Sequence, residues 1–120
     1  MINNYSKKVK RELRELAAQA YENELALELK KLEKSFAEWR NGSISSGELS
    51  HRVHRHETGA SKSLYKKYNY GDIHLNVAYA IVTGIVDEQA ASEDLKKAIA
   101  SFINFYQVAK DDGDIKAPEH

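Results

Sequence analysis

The densest run of reactive side chains is Leu49-Ser50-His51-Arg52-Val53-His54-Arg55-His56-Glu57, which holds three of the five histidines of the chain. On a helix, His51 and His54 share a face at a spacing of three, and Thr58, Ser61 and Tyr65 continue that face. Imidazoles so placed can share a transition metal. The pattern falls short of a metal site in two respects. Helical zinc motifs set two histidines four residues apart around a glutamate, and no third ligand is identifiable beyond the distant His74. No metal and no other cofactor is therefore expected, and His51 and His54 stand only as candidate ligands. His56 reads differently: it falls between Val53 and Ala60 on an apolar stripe. That position predicts a partly buried imidazole, hydrogen-bonded to a tyrosine or carboxylate of a neighbouring helix.

Other catalytic chemistry is sparse. The chain has no cysteine, which excludes disulfides, thiolate ligands and a cysteine nucleophile. The Arg-to-His spacing of helical ribonucleases of the HEPN type is absent, since Arg52 reaches His56 across only three residues. Nor is there a phosphate-cradling glycine loop, a nucleophile elbow or a dinucleotide fingerprint. These absences point to a non-enzymatic role, with a metal-dependent enzyme built on His51 and His54 as a remote alternative.

A second cluster is electrostatic. Between Leu49 and Tyr70, Arg52, Arg55, Lys62, Lys66 and Lys67 face a single acidic residue, Glu57, and Tyr65, Tyr68 and Tyr70 lie among them. Cations interleaved with aromatic rings can contact phosphates and stack on bases, so a small nucleic-acid-binding regulator is the alternative function. The whole chain, however, balances 18 basic against 18 acidic residues. Bulk attraction to nucleic acid or to anionic lipid is not expected. The acidic excess lies beyond Gly84, so the basic face could also meet the C-terminal half of another copy.

These residues must be positioned by helices. Ser6 is a fitting N-cap, and no Gly or Pro interrupts the chain from there to Arg40, with Gly42 as the stop. Lys8/Glu12, Arg11/Glu15 and Lys34/Glu38 are spaced as ion pairs along the solvated side of this helix. Ser45-Ser46-Gly47-Glu48 is a capping box that opens a second helix running to about Tyr68, with Leu49, Val53, His56, Ala60 and Leu64 as its buried stripe. Gly59 weakens its middle and could mark a kink, a close helix approach or a ligand. Asp72 caps a third helix, Ile73 to Thr83, with almost no polar face; it should be the most buried segment. Gly84 ends it, and Ile85 and Val86 fold back as an apolar anchor. Ser92 caps a fourth helix with Leu95, Ile99, Phe102, Ile103 and Tyr106 on its core side. The expected fold is all-α, a four-helix bundle-like single domain over residues 1–110 with a long N-terminal helix, followed by a flexible tail over residues 111–120.

The first helix carries the main functional expectation. Val9, Leu13, Leu16 and Ala20 cluster on one side, while Leu25, Leu29, Leu32, Phe36 and Trp39 cluster far around from it. A helix of that span is about 50 Å long, too long for an ordinary 120-residue domain, whose radius of gyration is about 14 Å. The second stripe has partners in the other helices, so the first is expected to dock outside the monomer. Val9, Leu13, Leu16 and Ala20 are thus the expected interface, and the chain a protein-interaction or regulatory module, homodimeric or bound to another protein. The first eight residues lack a signal-peptide run and no segment approaches the roughly 20 apolar residues of a membrane span. A cytoplasmic protein with no membrane contact is expected.

Overall fold

A computed structural model describes residues 5–118; the expected bounds at residues 1 and 120 lie outside them. The chain forms α1 (Lys7–Arg40), α2 (Ser46–Arg55), a π-helical turn (His56–Ser61), α3 (Lys62–Tyr70), α4 (Ile73–Thr83), a 3-10 turn (Glu88–Ala90), α5 (Glu93–Ala98) and α6 (Ala100–Asp111). No strand occurs among the described residues. All four expected caps form. Ser6 accepts from the Val9 amide, Ser45 from Glu48, Asp72 from His74 and Leu75, and Ser92 from Leu95. Each satisfies amides that the first helical turn leaves without partners.

The core gathers around α4, in which Asn76, Val77, Ala78, Ala80, Ile81, Val82 and Thr83 are buried. Gly84 takes the left-handed conformation at φ 77°, and the Val86 amide bonds back to the Ala80 carbonyl at 3.2 Å. This C-terminal lock turns Ile85 and Val86 into the core. Lys110 reaches from α6 to the Val82 carbonyl at 3.1 Å, placing a cation at the negative end of α4.

Here the structure corrects the expected interface. Val9, Leu13, Leu16 and Ala20 are all buried, packed in one cluster with α4, Ile85, Val86, Ala91, Leu95 and Ile99. The reason is size complementarity. Ala20 on α1 and Ala78 and Ala80 on α4 share this cluster, with Ala17 packed against it, and small side chains let two helices approach closely. Glu12 fixes the contact: it leaves Lys8 and accepts from the Ser92 amide at 2.7 Å and the Ser92 hydroxyl at 2.6 Å. Ser92 is therefore both the cap of α5 and the tie to α1.

The half of α1 that stands away from the core is the distal one. Among the described residues its helical partner is the α2–π–α3 rod, which runs back antiparallel along it, with Arg52 beside Ser35 and Glu38 and Lys67 and Tyr68 beside Glu24. The result is a core with a two-helix arm. It measures 55 × 29 × 22 Å with a radius of gyration of 17.2 Å, well above the roughly 14 Å of a compact chain of this length. Two of the expected rods are also interrupted, the second by the π-turn and the fourth at Ile99, whose backbone leaves the helical region at φ −115° and ψ 25°.

Candidate interaction surface on the distal arm

The π-turn has a cause in the sequence. From His56 through Ala60 and Leu64 to Tyr68 the stripe that faces α1 recurs at steps of four, and each such step drifts about 40° around an ideal α-helix. Three steps accumulate one residue too many. Inserting one wider turn absorbs the excess and keeps His56, Ala60, Leu64 and Tyr68 on the α1 side, all of them partly buried. Thr58, inside the turn, donates its hydroxyl to the His54 carbonyl at 2.9 Å. Gly59 is not a point of close approach, since a Cβ built there meets nothing within 4 Å. A tight approach occurs instead at Gly71, where a Cβ would stand 2.3 Å from the Lys67 carbonyl as the arm rejoins the core.

The inner seam of the arm is held by polar side chains. Arg52 donates to Glu48 at 2.8 Å, to Glu38 at 3.1 Å and to Ser35 at 3.2 Å. Its guanidinium hydrogen bond holds the Glu48 carboxyl below the usual range, and the same bond raises Arg52 itself. At the base of the arm Glu24 accepts from Lys67 at 3.0 Å and from the Tyr68 hydroxyl. The Lys67 ammonium lies 4.3 Å from the centre of the Tyr79 ring, a cation–π contact that ties the arm to α4. Burial, followed by the bond to Glu24, pushes the Tyr68 phenol well above its ordinary range.

Two different flanks result. Arg52's bonds to Ser35 and Glu38 define one, a groove of about 260 Å³ lined by Lys31, Leu32, Ser35, Arg52, Arg55 and His56 among others. The bond from Trp39 Nε1 to the Ser46 hydroxyl, 3.0 Å, marks the other. That second flank is apolar and partly open to solvent: Leu29 is 48% exposed, Phe36 37%, Trp39 41%, Val53 38% and Tyr65 50%. Tyr65 follows Val53 by twelve residues, yet the π-turn absorbs one of them and brings it back to the same side. On α1 the seam is Leu25, Leu29, Leu32, Phe36 and Trp39, at steps of 4, 3, 4 and 3, the narrow spacing of a coiled-coil stripe.

The other expected site residues fare unevenly. The basic face does not stay together, because Arg52 and Lys67 turn toward α1 and are neutralised by Glu38, Glu48 and Glu24, leaving Arg55, Lys62 and Lys66 in solvent. His51 and His54 are exposed on α2, while His74 lies at the far end of α1, bonded to Asp72 at 3.0 Å and packed on Tyr5 and Phe102. Among the described residues no three His, Asp or Glu side chains gather to hold a metal ion. His56 is partly buried in the groove, without the tyrosine or carboxylate partner expected for it. The ion pair expected between Lys34 and Glu38 gives way to Arg52. No helix among the described residues is long and apolar enough to cross a membrane. Compared with known families, curated proteins and solved structures, the chain matches none.

Proposed function

We propose that the protein is a non-enzymatic protein-interaction module, regulatory in use, which docks a helical partner on the apolar flank of its arm. The observation that carries this reading is the row of large apolar side chains, Leu29, Phe36, Trp39, Val53 and Tyr65, each between about a third and a half exposed on one side of a two-helix element. Uncovered apolar patches on small domains mark association sites, and the heptad spacing of the α1 residues selects a helix as the occupant. Nucleic-acid contact through the basic face is the weaker reading, because two of its five cations are already spent on glutamates.

A photo-crosslinking residue placed at Phe36 in the full chain tests the reading in cells. Protein adducts should form from position 36 and not from Lys31, on the opposite flank. If neither position yields an adduct, the arm is not a docking element. Titration of labelled DNA and RNA at low and high salt checks the rival: salt-sensitive binding lost in Arg55→Ala/Lys66→Ala would favour nucleic acid instead.

A further inference from the structure

We infer that the occupant of this flank is a second copy of the chain, docked antiparallel, so that two arms complete one four-helix bundle. The inference rests on the interaction reading above and specifies its partner. In a four-helix bundle each helix shares one apolar stripe between two neighbours. Among the described residues the distal half of α1 is flanked by the rod alone: Leu25 and Leu32 are the better covered, whereas Leu29, Phe36 and Trp39 keep 48%, 37% and 41% of their surface exposed. The arm is thus half of a bundle in form, and a second arm supplies the missing half by two-fold symmetry, the commonest solution for a single chain.

Charge selects a self-partner and sets its direction. The exposed residues bordering the seam include Glu22, Lys30, Glu33 and Arg40 on α1 and Glu57 on the rod, of both signs, as a surface that must face itself requires. An antiparallel two-fold centred near Leu32 pairs Leu25 with Trp39 and Leu29 with Phe36, and it sets Lys30 of each copy near Glu33 of the other. A parallel pair is disfavoured by what lies further along the same line of α1. Followed toward the N-terminus at the same heptad steps, the line passes Glu22, Ala18, Glu15, Arg11 and Lys8, all exposed and four of them charged. Side-by-side copies in register would set each of these charges against its own like, whereas antiparallel copies overlap only over the apolar stretch.

The cysteine-free chain makes a direct test possible, because each introduced thiol is unique. Sedimentation equilibrium of the wild type at micromolar concentrations should give twice the chain mass, and Leu29→Glu/Phe36→Glu should give the single-chain mass with unaltered helical circular dichroism. A short bismaleimide should link Glu33→Cys to its own copy and leave Arg11→Cys unlinked. Efficient linking through Arg11→Cys overturns the antiparallel arrangement, and a wild type that stays monomeric overturns the dimer. Should the wild type be monomeric while position 36 still crosslinks to another protein in cells, self-association fails and the interaction reading stands; with no adduct either, both fail.

Discussion

Asp72, Tyr68 and Ile81 each make a separable contribution. Desolvation raises the Asp72 carboxyl, but the Leu75 amide and then His74 outweigh it, and its pKa lies below the ordinary value. A lowered carboxylate stabilises the fold above its unfolded pKa, near 4, and the gain disappears as pH falls through the lowered folded value. Asp72→Ala should therefore cost about 1 kcal/mol at neutral pH, and melting curves of the two proteins should converge below that window. Tyr68 has the opposite sign, since burial and Glu24 raise it. Tyr68→Phe should cost about 1.5 to 3 kcal/mol for a hydrogen bond to a charged acceptor. The difference from wild type should shrink as pH rises past about 10, where the unfolded phenol ionises; a constant gap would remove the phenol–carboxylate bond as its cause. Ile81 is buried in α4, and Ile81→Asp should lower stability by several kcal/mol because the charge has no partner there. An unchanged melting temperature would contradict its place in the core. The capping residues were legible in the sequence because a cap is local, requiring only Ser or Asp beside a helix start. The partners of Glu12, Glu24 and Arg52 were not, because each lies on another element and depends on how the rods align.

At the scale of elements, both halves of α1 carry an apolar stripe, so periodicity could not decide which half enters the core. The informative signal was side-chain size. Ala17 and Ala20 are small and match the alanines of α4, while Leu29, Phe36 and Trp39 are too bulky for so close a contact. The π-turn has a sequence signature as well, the three successive steps of four from His56 to Tyr68, whose accumulated drift a straight α-helix does not absorb. It leads to a prediction about length. Removing Gly59 should convert the turn to plain α-helix and leave α3 in its present register, whereas removing Ala26 shifts every residue after it on the arm. The first deletion should fold with a near-normal melting temperature and the second should not. Gly59→Ala, which keeps the length and meets no neighbour within 4 Å, should stabilise by up to about 1 kcal/mol. A loss of that size would mean that the turn needs the freedom of glycine.

Across the whole molecule, stability should be graded along the long axis. Core amides of α4 and of α1 from Val9 to Ala20 sit among buried apolar side chains, while those near Trp39 and Val53 are shielded by one neighbouring rod. Native-state hydrogen exchange should accordingly be slowest in α4 and markedly faster near the arm tip, with the gap narrowing as concentration rises if two arms associate. Uniform protection along α1 at low concentration would contradict this gradient. The continuity of α1 has a mechanical consequence. Lys7 to Arg40 form one hydrogen-bonded strut with no proline or glycine joint, and the returning rod is pinned to the core where Gly71 passes the Lys67 carbonyl and Asn76 donates to it at 2.9 Å. A load applied at the tip by anything that grips the arm cannot be relieved by a hinge. It is transmitted as torque to the far end of the strut, where Glu12 grips the start of α5.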